Sequence, residues 1–166
     1  AALTTLQVSN LNSAQLNNLT SEQLSLLTTD QVSGLTSAQL GKLTAGNMAN
    51  FSSAFVAKFY TAQIKGLTTD QVAMLTTGQV YGLSSNQWQA FTTDQVAALN
   101  PHLIQALTPV QISLGLTTQQ ISALTPSELA VLTTQQIALG LTTDHVQALT
   151  TSQIDDMTTN RVRWRP

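Results

Sequence analysis

The 166 residues contain no cysteine, so neither a disulfide framework nor a thiolate metal site can form. Charge is scarce as well: Asp, Glu, Lys and Arg make up 8% of the chain, where about a quarter is usual. The formal net charge is −2, and three of the six basic residues, Arg161, Arg163 and Arg165, stand in the last six positions. Residues 1–160 therefore hold eight acidic and three basic groups, a balance of −5. A body without a basic stripe argues against a nucleic-acid partner. No apolar run approaches the roughly 20 residues that span a bilayer, so no membrane insertion is expected. A Gly-rich phosphate loop is missing. Serine and threonine are plentiful, but none stands with a base and an orienting acid. His102 and His145 are the two histidines, far apart and without a carboxylate at ligand spacing. Neither enzymatic activity, a metal nor a cofactor is expected. The acidic residues are scattered singly except for Asp155-Asp156, which reads as a charged cap beside Arg161 and Arg163.

What the chain has instead is a period. A large apolar residue returns every eight positions, at Leu3, Leu11, Leu19, Leu27, Leu35, Leu43, Phe51, Phe59, Leu67, Leu75, Leu83, Phe91, Leu99 and Leu107. The series continues at Leu116, Leu124, Leu132, Leu141, Leu149 and Met157. Self-similarity at a fixed short period is the mark of a repeat architecture. Numbered from that residue, position two is Thr, Ser or Asn in nineteen of twenty units, and position five is Gln or Glu in fifteen. Position six is always apolar. A hydroxyl or amide followed three residues later by Gln or Glu is a capping box, and the apolar residues at positions one and six form the matching hydrophobic staple. Pro101, Pro109 and Pro126 fall at position three, the first helical residue, where a missing N–H costs nothing. Asp30, Asp70, Asp94 and Asp144 fall in the first turn, where the helix dipole favours negative charge. One short helix per unit follows.

A continuous helix is excluded, because eight residues advance the leucines by roughly 80° per unit and leave no stable apolar stripe. It would also bury three prolines in helix interiors. A strand places even spacings on one face, whereas positions one and six have opposite parity. A β-solenoid stays open as the alternative, since Thr, Val, Ile and Gln tolerate strands.

A helix of five or six residues does not survive alone. The expected fold is therefore all-α: a tightly wound α-solenoid of about twenty short capped helices, residues 1–160, each held by its neighbours. Residues 161–166 form a basic C-terminal tail or cap. The units 107–115 and 132–140 each carry one extra residue and lie three units apart. That spacing suggests three units per coil, although two also fits. With packed helices about 8–10 Å apart, seven coils make a rod of about 60 Å. The chain opens with Ala1-Ala2 and shows no signal peptide. Its first unit has no polar cap ahead of it, as expected of a piece of a longer array or of a unit that stacks end to end.

The pattern degenerates over 43–66. Asn47 and Phe55 replace the glutamine and Tyr60 the cap, with Thr61 able to take over capping one residue later. Phe51 and Phe59 are expected in the core, Phe55 and Tyr60 at corners. A thick core layer accounts for these rings, and so does an aromatic binding patch joined by Tyr81 and Trp88. His145, in the glutamine slot, is expected to substitute in capping. The terminal Arg161-Val162-Arg163-Trp164-Arg165-Pro166 reads equally as a docking tail for an acidic partner or as a cap in which Trp164 covers the last layer. Candidate binding residues are Phe55, Tyr60, Tyr81, Trp88 and Trp164.

The unit, as in Leu67-Thr68-Thr69-Asp70-Gln71-Val72-Ala73 and Leu141-Thr142-Thr143-Asp144, resembles tandem repeats of large secreted or surface exoproteins of proteobacteria. Some of these carry adhesion or haem-utilisation labels. The resemblance covers almost the whole chain and implies export and attachment. It transfers no binding residue. Haem would need an axial ligand, and neither histidine stands in an evident pocket. The expected role is thus a structural or adhesive segment of a secreted or surface bacterial protein, self-associating or stacking end to end. A peptide- or glycan-binding module using the aromatics between Phe51 and Phe91 is the alternative.

Overall fold

The computed structural model describes residues 3–162. Each unit is one short helix approached through an extended cap. In the unit from Leu67, Thr68 caps at φ −77° and ψ 159°, and the helix runs Thr69–Ala73. The Leu75 N–H then donates to the Val72 carbonyl at 3.1 Å and turns the chain into the next unit. No strand occurs among the described residues, which removes the β-solenoid alternative. The prolines sit as the capping rules require: Pro101 and Pro126 open the helices Pro101–Gln105 and Pro126–Ala130.

Packing mostly joins helices three units apart, as Thr5–Ser9 with Thr29–Ser33, Ala45–Asn50 with Thr69–Ala73 and Pro126–Ala130 with Thr151–Val162; Ser21–Ser25 also meets Ser53–Val56, four units on. A coil therefore holds three units, and the solenoid has three sides. The first side carries Thr5–Ser9, Thr29–Ser33, Ser53–Val56, Thr77–Tyr81, Pro101–Gln105, Pro126–Ala130 and Thr151–Val162. The second carries Ser13–Asn17, Ser37–Gly41, Thr61–Lys65, Ser85–Ala90, Gln111–Gly115 and Thr134–Gly140. The third carries Ser21–Ser25, Ala45–Asn50, Thr69–Ala73, Thr93–Ala97, Thr118–Ala123 and Thr143–Ala148.

The interior is one continuous apolar column built from positions one and six. The two positions face opposite axial directions. In the first coil Leu3 is exposed while Val8 and Leu16 are buried; near the far end Leu149 is half-buried while Val146 and Ile154 are exposed. Position one thus packs toward the preceding coil and position six toward the following one. Each such side chain, once covered, is worth about 1.5–3 kcal/mol. That burial supplies what helix nucleation lacks.

The two inserted residues fall on the same side, in consecutive coils. Both are absorbed by widening the helix end. Gln111–Gly115 is a π-helical turn, and the Leu141 N–H donates five residues back to the Gln136 carbonyl rather than three. Gly115 lies against Trp88 and Gly140 against Ile112; a Cβ would come within 3.0 and 3.1 Å of the neighbouring Cβ atoms. The twentieth unit departs from expectation. Thr151–Val162 is one helix of 12 residues that runs through Met157. Arg161 stands in the glutamine slot of that unit.

Close approach between coils is sharpest at Gly66, where an added Cβ would overlap the Cβ of Ser37 on the same side. Gly78, inside Thr77–Tyr81, has open space around it. Gly66→Ala should therefore lower stability by about 1–3 kcal/mol, and Gly78→Ala should raise it by about 0.5–1 kcal/mol through helix propensity. Thermal unfolding followed by circular dichroism checks both signs.

Candidate functional site

The polar group the fold brings together most often is a buried side-chain amide. Gln71 shows its geometry. Its Oε1 accepts from the Thr68 N–H at 2.9 Å, and Thr68 Oγ1 accepts from the Gln71 N–H at 3.2 Å, completing the capping box. The same amide continues outward. Its Nε2 donates to the carbonyls of Leu40 at 2.8 Å and Leu43 at 2.7 Å, in the coil below. Both amide protons and the oxygen are satisfied, which is what burial of an amide demands.

The arrangement repeats with constant register. Gln63 donates to Val32 and Leu35, each at 2.7 Å, and Gln79 to Met48 and Phe51, each at 2.7 Å. Gln95 reaches Ile64 at 3.0 Å and Leu67 at 2.6 Å. Beyond the inserted residues the partners shift by one: Gln120 reaches Trp88 and Phe91, and Gln136 reaches Ile104 and Leu107. Gln31 Nε2 donates to the Leu3 carbonyl in the same way. Every such glutamine closes its own helix start and clamps the corner beneath it. Residues 28 to 32 apart in sequence are joined at each step.

Three of the substituted glutamine slots are compensated locally. His145 Nδ1 lies 3.3 Å from the Thr142 nitrogen and Nε2 lies 2.9 Å from the Leu116 oxygen. The Nε2–H tautomer fits both contacts: Nδ1 accepts as Oε1 does, and Nε2 donates as the amide does. The expected capping substitution is present, with the inter-coil bond in addition. Asn47 is too short for its own cap. Asn17 Oδ1 accepts from the Thr44 N–H at 3.0 Å, and Asn47 Nδ2 donates to the Asn17 carbonyl at 3.0 Å. Phe55 offers no donor; Lys58 Nζ takes over the Leu27 carbonyl at 2.5 Å. Tyr60 supplies no side-chain cap, but its N–H donates to Gln63 Oε1 at 2.8 Å. The cap does not move to Thr61, which is the first helical residue instead.

The aromatic candidates separate. Phe55 does not sit at an exposed corner. It is buried and meets Phe51 and Phe59 edge-on, ring centroids 4.8 and 5.4 Å apart, because position five points beneath the corner into the core. Trp88 is fully buried, 5.2 Å from Phe91, and its Nε1–H has no acceptor. Tyr60 and Tyr81 are exposed, at 52% and 65%. Tyr60 lines an open depression of about 450 Å³ with Lys58, Thr61, Ser84, Asn86 and Gln87. Trp164 lies outside the described residues. His102 is exposed near the start of its helix. Among the described residues no group of three or more His, Asp or Glu side chains is placed to hold a metal ion, and no helix is long and apolar enough to cross a membrane.

The inter-coil role of glutamine was missed in the sequence, although a signal was there. Glu serves a capping box as well as Gln does, and the helix dipole prefers it. Yet position five holds fourteen Gln and one Glu. A requirement for donors explains that imbalance.

Two substitutions separate capping from clamping. Thr68→Ala removes one cap bond and should cost about 1 kcal/mol. Gln71→Leu removes the bond to the Thr68 N–H and both inter-coil bonds and strands buried carbonyls, for about 3 kcal/mol. Equal losses in urea unfolding would mean that the amide acts only within its own helix.

Compared with known families, a model of the ALTTAQ repeat matches residues 48–85. No curated protein and no solved structure matches the chain. The family match supports a tandem repeat across the units where aromatic substitutions are densest.

Proposed function

We propose that the chain is a non-enzymatic structural segment of a secreted or surface bacterial protein, acting as a rod, spacer or adhesive, self-associating unit. The observation that carries this reading is the glutamine ladder. The recurring polar residues of the unit cap helices or join coils, and the recurring apolar ones fill the column between them. What remains outside is a weakly charged surface of polar side chains with scattered exposed apolar ones, such as Leu6, Leu26, Leu114 and Leu139, suited to contact rather than to chemistry. Self-association draws support from the layer geometry. Positions one and six are complementary, so two coils of this repeat offer the same contact whether they lie in one chain or in two. The resemblance to exoprotein repeats supports export and attachment.

A second reading, a peptide- or glycan-binding module, is supported by exposed Tyr60 at its open depression, with Tyr81 as a further exposed ring. Trp88 and Phe55 contribute to it only as core.

Duplicating residues 67–90, one full coil, should lengthen the particle by about 8–10 Å at constant cross-section in small-angle scattering. Sedimentation equilibrium should show mass rising with concentration. Isotropic growth would count against the rod, and a strictly monomeric protein against self-association. For the second reading, Tyr60→Ala with Tyr81→Ala should abolish binding to a glycan panel and leave the circular dichroism unchanged; undiminished binding removes it.

A further inference from the structure

Glu128 is the one carboxylate set into the glutamine ladder. Its Oε2 does the work of the glutamine oxygen, accepting from the Thr125 N–H at 2.6 Å and from Thr125 Oγ1–H at 2.8 Å. Its Oε1 takes the place of the amide nitrogen, buried and with no hydrogen-bond partner. The flanking rungs fix what lies opposite. Gln120 donates to Trp88 and Phe91, Gln136 to Ile104 and Leu107. The same register assigns Glu128 the carbonyls of Val96 and Leu99. A carboxylate oxygen facing carbonyls is repelled by them, whereas a carboxylic acid donates to one of them.

We propose that Glu128 is held as the neutral acid, with Oε1–H donating to the carbonyls of the coil below, and that this rung makes one coil junction sensitive to pH. The proton comes from solvent and returns to it. Burial pushes the carboxyl above its ordinary value of 4.5, while the two Thr125 bonds pull the other way. The helices packed against Pro126–Ala130 are Pro101–Gln105 and Thr151–Val162. Their charged or titratable residues are His102 on the first and Asp155, Asp156 and Arg161 on the second; the Arg161 side chain lies outside the described residues, and Thr93–Ala97, whose end Glu128 faces, carries Asp94. None of these charges is among the causes of the shift.

The direction follows from linkage. Between 4.5 and the raised folded value, the folded chain binds the proton and the unfolded chain does not. The stabilisation is complete below about 4.5 and is lost as pH rises through the folded value. Glu128→Gln supplies the missing donor permanently and does not titrate. Every other ionisable group is common to both proteins, so the difference between them isolates this rung.

The experiment measures Tm of the full chain and of Glu128→Gln from pH 4.5 to pH 8. The variant should be the more stable by about 3 °C or more at pH 8, and the gap should narrow steadily toward pH 4.5. A gap that stays constant across this range overturns the proposal. The carbon-13 shift of the Glu128 carboxyl provides a second readout. It should titrate with a midpoint above the ordinary value of 4.5; a midpoint at or below that value also overturns it.

Discussion

The fold depends on a buried amide that bonds in two directions. A glutamine at the third helical residue satisfies the N–H of its own cap and two carbonyls one coil below. Neither bond alone would be enough. The cap starts a helix of five residues, too short to persist in water. The downward pair fixes that helix over the corner beneath it. Because the two uses share one planar group, the angle between a helix start and the layer below is set wherever the glutamine occurs. The three-sided coil follows from repeating that angle.

Apolar packing and hydrogen bonding divide the labour cleanly. Positions one and six face up and down and are largely non-directional, so Leu, Phe, Val, Ile, Met and Trp all serve. The position-five amide sets register. This explains which irregularities the chain tolerates. Extra residues are absorbed at helix ends, in a π-turn and a widened closure, leaving the next cap in place. Two lost glutamines are offset by other side chains: Lys58 supplies a donor to the corner beneath Phe55, and Asn17 supplies an acceptor to the Thr44 N–H that Asn47 is too short to reach. Energies in such a stack are those of nearest neighbours. Damage at one rung is therefore expected to weaken one junction rather than the whole column.

Much of this was legible in the sequence. Thr68, Asp70 and Gln71 point to one helix start by separate rules, and Pro101 marks the same position in its own unit, so the local structure was over-determined. The two Leu-Gly insertions, three units apart, hinted at the coil size correctly. What could not be read was the destination of the glutamine nitrogen. A capping box accounts for Gln71 without reference to any residue 28 positions away, and only the surplus of Gln over Glu pointed further. Phe55 was expected at a corner, but its side chain runs inward beneath the corner. Met157 misled through its spacing: the period continued while the capping partner, replaced by Arg161, did not.

The inter-coil amide bond is open to direct observation. Nuclear magnetic resonance of the labelled protein can follow the Gln71, Gln79 and Gln95 side-chain amide protons. The account predicts that they exchange slowly with solvent and show Overhauser contacts to residues 40 and 43, 48 and 51, and 64 and 67 respectively. Exchange at the rate of exposed amides, or contacts to residues two units back instead of a full three-unit coil, would contradict it.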